Sequence, residues 1–311
     1  MDQSPVLSYG FGGDARYGRY YKHSGRVNVG GVLLSLAAGV PIALVLAVIY
    51  AYSAIYLPDL KLAAIACVVF GVLLGLLPSL LMARFKVRNQ HVAVAVALVI
   101  AALGYYFSWV AWESILLKNL QNAPTAIELA ENPFDVARIA VRVNAVGTWS
   151  SSSSPVQGGP KATPPEAEHG TMLTIFWILE AAGVFGPAAL LAYGMSVSKP
   201  FCEKCNRWAD ISGVFLITQA VDPKQMKLRL EAGEFDSVAA LDRVPDPKKG
   251  GRATEFSRFK CSRCGELQTL SANVKSVVFE KKRKNPTTQR LAVVDKLLIS
   301  EEDYQRMIGR P

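Results

Sequence analysis

The stretch that most constrains this chain is the apolar run from Met172 to Ser196. It carries one charge, Glu180, and passes through Pro200 directly into Phe201-Cys202-Glu203-Lys204-Cys205. A run of this length reaches the roughly 20 apolar residues that a bilayer crossing requires. The C-x-x-C that follows is half a metal site, and its complement, Cys261-Ser262-Arg263-Cys264-Gly265, lies far down the chain. Everything upstream reads as membrane, and everything downstream as a soluble domain stapled by an ion. The fold expected is an α-helical membrane bundle of four transmembrane helices followed by a small α+β, zinc-ribbon-like cytoplasmic domain.

Three further apolar runs, 30–56, 62–83 and 92–112, precede the fourth span at 171–196. The first is uncharged and has Pro41 as a kink candidate. The second carries Gly71-x-x-x-Gly75, small residues that let another helix approach closely. Apolar residues make up 51% of the chain, concentrated in these blocks, and the net charge of +9 is equally uneven. In a soluble protein such a charge points to nucleic acid. In a membrane protein it first reports topology, because cytoplasmic segments carry excess Lys and Arg. No cleavable signal peptide is evident, since the first apolar run follows a long polar segment and exceeds a signal peptide's core.

Charge and aromatics set the expected orientation. Segment 1–29 is polar and basic, with Arg16, Arg19, Lys22 and Arg26, and reads as a flexible cytoplasmic leader held near anionic lipid. Arg84, Lys86 and Arg88 mark a second cytoplasmic loop. Tyr50, Tyr52, Tyr56, Tyr105, Tyr106, Trp109 and Trp112 fall toward the opposite ends of their spans, as an outer aromatic belt does. Segment 113–170 is then extracytoplasmic, and both termini are cytoplasmic. Within it Asn132-Pro133 opens an amphipathic helix that Gly147 stops, with Phe134, Ala137, Val141 and Ala145 on one side. That helix lies on the bundle or at the interface. A Ser-, Gly- and Pro-rich link over 150–165 follows.

Segment 197–311 has the composition of a small α+β domain. Val214 to Ile217 suits a strand, Asp222-Pro223 opens a helix, and 234–244 forms another. Residues 268–280 and 289–299 read as a long hairpin around the basic tip Lys281, Lys282, Arg283 and Lys284. The tip is a candidate for contact with anionic headgroups. Ser300-Glu301-Glu302-Asp303 resembles a capping box.

Four of the five cysteines, Cys202, Cys205, Cys261 and Cys264, form the two C-x-x-C pairs. In a reducing compartment paired C-x-x-C is metal-binding rather than disulfide-bonded. Tetrahedral Zn²⁺ takes four thiolates, and four cysteines close the shell, so the ion is structural and leaves no catalytic position. Iron is the alternative that the same ligands permit. Gly265 and Asn206, each following a second cysteine, tolerate the left-handed backbone that such turns demand. Lys204, Arg207, Lys260 and Arg263 are placed to offset the charge of a zinc tetrathiolate.

Glu180 is the one acidic residue well inside a predicted span, with Tyr105, Ser108 and Tyr52 at comparable depth as hydrogen-bond partners. An intramembrane carboxyl is costly and is by default a functional hypothesis. A lone carboxyl is a poor proton relay, which favours a protonated Glu180 joining two helices. The histidines lack ligand spacing, and no phosphate loop, nucleophile elbow or carboxylate pair is present.

Phe176-Trp177-Ile178-Leu179-Glu180 in a span, followed by Pro200-Phe201-Cys202-x-x-Cys205-x-x-Trp208, resembles uncharacterised bacterial inner-membrane proteins with a cytoplasmic zinc-ribbon tail. The resemblance implies a bacterial inner membrane and supplies no activity. The partners expected are the lipid bilayer and a cytoplasmic protein or anionic lipid. A small transporter or channel component using Glu180 is the rival, and membrane-tethered nucleic-acid binding through the basic hairpin is the weaker third.

Overall fold

A computed structural model describes residues 20–57, 60–118, 121, 123–147, 169–245, 251–278 and 287–309. The chain divides into two compact units, one spanning Ser24–Ser198 and the other joining the segment ending at His23 to Lys199–Pro311.

The first unit contains four helices long and apolar enough to cross a membrane: α1 (Val29–Tyr56), α2 (Leu60–Arg84), α3 (Gln90–Leu117) and, after two short helices, α6 (Gly170–Val197). Asn28 and Asn89 start two of them. The Asn28 side chain accepts from the Gly31 amide, and that of Asn89 accepts from His91 and Val92, which satisfies amides that a helix leaves free. The core is built from small side chains, Ala43, Ala47, Ala101 and Ala188, around Tyr50, Phe70, Leu74 and Ile100. Close backbone approach follows, and the Gly71-x-x-x-Gly75 motif lies at one such approach. A Cβ on Gly71 would lie 2.6 Å from the Val184 carbonyl oxygen, and one on Gly75 would lie 2.5 Å from the Ala188 Cα. Only glycine permits α2 and α6 to meet there. Leu33, Val45, Ile65, Val69, Ile178 and Leu190 project outward uncovered, a surface suited to lipid rather than water.

Two features of this unit differ from expectation. The third helix does not stop at residue 112 but continues to Leu117, which brings Glu113 inside it. The helix predicted from Asn132 is present as α5 (Pro133–Val146), preceded by α4 (Ala126–Glu131) with a Thr125–Glu128 capping box. The side packed on the bundle is not the apolar side read from the sequence, which is left free for the interface. Val136 and Val143 are buried, whereas Phe134 and Val141 are 80% and 70% exposed. The helix is apolar on two sides, and Val136 joins Val110 and Leu129 in a small core with Tyr106, Trp109 and Ile139. The link over 150–165 lies outside the described residues, apart from which Gly147 ends α5 at a positive φ of 79°.

The second unit is a four-stranded antiparallel sheet in sequence order, β3 (Asp210–Gln219), β4 (Arg252–Lys260), β5 (Gln268–Val278) and β6 (Thr287–Leu298). A two-residue ladder, β1 (Phe201–Cys202) with β2 (Arg207–Trp208), precedes it. Between β3 and β4 run α7 (Pro223–Ala232), capped by Asp222, and α8 (Asp236–Ala239); α9 (Glu301–Ile308) ends the unit. Met226 and Leu230 of α7, Val238 of α8 and Met307 of α9 pack with Leu216, Phe256, Leu270, Val294 and Leu297 of the sheet. Each fully buried Leu or Phe contributes about 1.5–3 kcal/mol, so this cluster is the main support of a small sheet. The reciprocal Ser300–Asp303 capping box opens α9. The helix expected over 234–244 is a single turn. Its chain leaves to pair along the outer edge of β3, where the Gln219 amide donates to Asp242 and the Val244 amide to Ile217. β4 was not foreseen, because Arg252, Glu255 and Arg258 hide the alternation of a strand. Glu255 lies buried on it and pairs with Lys275 at 3.0 Å and Arg290 at 3.5 Å.

The expected free leader is corrected at its C-terminal end. Tyr20 and Tyr21 extend the sheet beside β6: Tyr20 bridges Leu297, and the Tyr21 amide donates to the Lys296 carbonyl at 2.9 Å. An edge strand offers unpaired backbone groups, and these residues take them up. Arg16 and Arg19 lie outside the described residues.

Candidate metal centre

The two C-x-x-C turns stand more than fifty residues apart in sequence, and strand register closes the gap. The first turn feeds β3 through Ala209, and the second follows the last residue of β4. Asp210 is the register partner of Lys260, and Lys260 is also paired with Gln268 at the start of β5. Both turns therefore sit at the same end of the sheet. In the first, Cys202 pairs with Arg207 and the chain reverses through Asn206 at φ +50°. In the second, the Cys261 amide donates to Leu267, the Gly265 amide donates to Cys261, and Gly265 adopts φ +69°. The left-handed backbone expected at both positions is present.

The four sulfurs, from Cys202, Cys205, Cys261 and Cys264, all lie within 4.8 Å of one another. Cys202 Sγ and Cys264 Sγ are 3.6 Å apart. A disulfide needs about 2.05 Å, whereas a tetrahedral thiolate shell at about 2.3 Å from the ion sets sulfurs about 3.8 Å apart. The spacing thus fits a metal tetrathiolate, and all four cysteines are free. Cys202 and Cys261 are buried and Cys205 and Cys264 half-buried, among Ala209, Leu267 and Tyr21. A closed shell of this kind cross-links two loops and offers no open position for chemistry.

Three of the cations expected to offset the thiolate charge are engaged with carboxylates. Lys204 pairs with Glu266, Arg207 with Asp210 at 3.7 Å, and Lys260 with Glu301 at 2.8 Å. Glu301 also accepts from Gln268, which in turn donates to the Gly265 carbonyl, so α9 is tied to the second turn. The Lys260 ammonium, with help from Gln305 and Gln268, holds the Glu301 carboxyl down at about 2.

The other predicted positions are not drawn to this centre. Lys281, Lys282, Arg283 and Lys284 lie outside the described residues. Glu180 sits in α6, where its Oε1 accepts from the Tyr50 hydroxyl at 2.6 Å. The partner is neither Tyr52, Ser108 nor Tyr105. Tyr52 is two residues further along α1, about 200° round the helix, and is 49% exposed, while Tyr50 is 8% exposed and stacks on Phe70. Ser108 donates instead to the Tyr105 carbonyl. Cys67 donates to the Glu180 backbone oxygen at 3.3 Å.

One residue escaped the sequence reading. Glu113 is fully buried, and both carboxyl oxygens lack a hydrogen-bond partner among the described residues. The signal was its spacing: Tyr106, Val110, Glu113 and Leu117 fall at i, i+4, i+7 and i+11, one face of a helix. Placing the end of the span at Trp112 concealed it.

Comparison with protein-family models, with curated proteins and with solved structures gives no match. What characterises this chain is therefore its own arrangement, four apolar helices and a four-cysteine cluster on a small antiparallel sheet.

Proposed function

We propose that this chain is a four-span protein of the bacterial inner membrane, with both termini cytoplasmic, that presents a structural-zinc module for contact with a protein or with anionic lipid. One observation carries the reading: four sulfurs within 4.8 Å of one another on two turns that strand register alone brings together. Zinc, an ion without redox chemistry of its own, is preferred for a closed tetrathiolate that holds two loops, with iron the alternative that the same ligands permit. The module joins Tyr20–His23 to the region after Lys199. This supports an even number of crossings between them, since the two segments must share one side of the bilayer. Arg84, Lys86 and Arg88 support the cytoplasm as that side. The test is metal analysis of the full-length protein purified without added metal. One zinc per chain is expected, falling sharply in Cys264→Ser, and a folded, reduced protein without zinc would refute the reading.

The interaction role rests on Lys281 to Lys284. Near an anionic surface each cation is worth about 1 kcal/mol. Proteoliposome or detergent-micelle capture of anionic against neutral vesicles, repeated at two salt concentrations with all four changed to Ser, measures it. A salt-sensitive preference for anionic vesicles that the variant loses is expected.

The rival transport reading turns on Glu180. Its carboxyl accepts from Tyr50 and so links α6 to α1, which supports a packing role. Glu180→Gln is then expected to preserve assembly and Glu180→Leu to loosen it. Solute or proton flux in reconstituted vesicles that vanishes in a folded Glu180→Gln protein would favour transport instead.

A further inference from the structure

Tyr21 grips the backbone of the residue next to the first metal ligand. Its hydroxyl accepts from the Phe201 amide at 2.8 Å and approaches the Phe201 carbonyl oxygen as a donor at 3.3 Å. Cys202 follows directly. The Tyr21 ring is buried in the same small cluster as Cys202, Cys261 and Leu267. His23 packs edge-on against both Tyr21 and Trp208, and Trp208 packs edge-on against Phe201. Phe201 and Trp208 are themselves the register pair that closes the first cysteine turn.

The other anchors of this segment are away from the cysteines. The Tyr21 amide donates to Lys296, and the Tyr20 hydroxyl donates to Glu231 at 2.7 Å. Lys296 adopts a left-handed φ of 56° at an irregularity in β6, where its amide and Asp295 are held by Ser271. Two of the footholds of residues 20–23 among the described residues bear on the metal site differently. One is an edge that the sheet supplies by itself, and the other is a turn whose shape depends on Cys202 and Cys205 being held.

We propose that metal occupancy of the four-cysteine site and docking of residues 20–23 are a single coupled equilibrium, with Tyr21 the positioning residue that links them. This rests on the metal reading given above. An ion fixes Phe201–Cys202 in the extended conformation whose amide and carbonyl the Tyr21 hydroxyl spans. Without the ion, two thiols a few ångströms apart no longer constrain the turn, and the Tyr21 hydroxyl loses its defined contacts with Phe201 while keeping His23 Nδ1 at 3.2 Å within its own segment. Coupling of this kind is reciprocal: whatever factor metal adds to docking, docking adds to metal affinity. The segment preceding the first membrane helix thereby reports the metal state of a domain that lies at the other end of the sequence. A metal-responsive contact between the N-terminal segment and the C-terminal module is the regulation that follows.

The experiment uses the full-length protein in nanodiscs. Zinc content of the wild type is measured first, and its absence would overturn the metal reading itself, the proposal with it. With zinc present, hydrogen exchange is followed at the Tyr21 and Phe201 amides before and after chelation, with the Phe256 and Leu270 amides as the folding control. Exchange at Tyr21 and Phe201 is expected to rise about tenfold or more while the control amides stay protected. In parallel, zinc is titrated against a chromophoric chelator in wild type and Tyr21→Phe, which keeps the ring and removes only the hydroxyl. Affinity is expected to fall about tenfold, within the usual range of such couplings. An unchanged Tyr21 amide after chelation, or unchanged affinity in the variant, overturns the coupling and leaves the metal site standing. The exchange arm needs no variant, so it decides the matter even if Tyr21→Phe folds poorly.

Discussion

Glu301 stands on the first turn of α9 and takes hydrogen bonds from Lys260, Gln268 and Gln305, which hold its carboxyl at about 2 against an ordinary 4.5. The folded state therefore prefers the charged form more than the unfolded state does. Its contribution to stability is fully present above about pH 4.5 and is lost as pH falls toward 2. Glu301→Gln is expected to abolish that part of the acid dependence, read as the difference between wild-type and variant unfolding curves over this window. An identical slope in both would contradict it. Glu113 presents the opposite case, a buried carboxyl without a partner among the described residues. A buried group left unsatisfied costs about 1–3 kcal/mol, so Glu113→Met, similar in length and apolar, is expected to raise thermal stability in detergent by about that amount. A fall in melting temperature would show that the carboxyl contributes a contact. Tyr50 and Tyr52 show why such partners elude a sequence: both lie at the depth of Glu180, and only helix phase decides which one faces it.

A close approach to α2 was legible in the chain, because Gly71-x-x-x-Gly75 already marks one face as free of side chains. What the motif does not name is the helix that fills the space. Gly71→Ala and Gly75→Ala each place a methyl group against backbone, which cannot move aside as a side chain does. Each is expected to cost about 1–3 kcal/mol by overpacking. Gly186→Ala and Gly194→Ala, where a Cβ meets nothing within 4 Å, serve as controls expected to be neutral or slightly stabilising. Equal effects at all four sites, in thermal unfolding of the purified protein, would refute this account. In α5 the start and stop were legible from Asn132-Pro133 and Gly147, but its orientation was not. Val136→Ser is expected to loosen α5 from α3, and Phe134→Ser to leave that packing intact, as read by protease accessibility. A helix with apolar residues on two sides does not say which is packed, so its neighbours choose the buried one. Likewise β4 was hidden by charged residues, one of which, Glu255, is buried in an ion pair that no periodicity announces.

At the scale of the whole molecule, orientation is the outstanding expectation. An impermeant thiol reagent applied to intact cells is expected to label a cysteine placed at Ser152 and to spare cysteines at Ser4 and Glu302. Labelling at Glu302 would put the module outside, where no reducing compartment keeps the four thiols free. The sequence by itself determined the four apolar helices, the small α+β region beyond them and the four cysteines, because length, hydropathy and ligand spacing are local properties. It also determined the left-handed backbone at Asn206 and Gly265 and the capping box at Ser300, since each is set within a few residues. The tertiary structure alone decided that the Asp210–Lys260 register closes two distant turns into one cluster, that Glu180 meets Tyr50, and that Tyr20 and Tyr21 belong to the sheet. These are contacts between residues far apart in the chain. Their energies depend on which surfaces meet, and no local pattern encodes that choice.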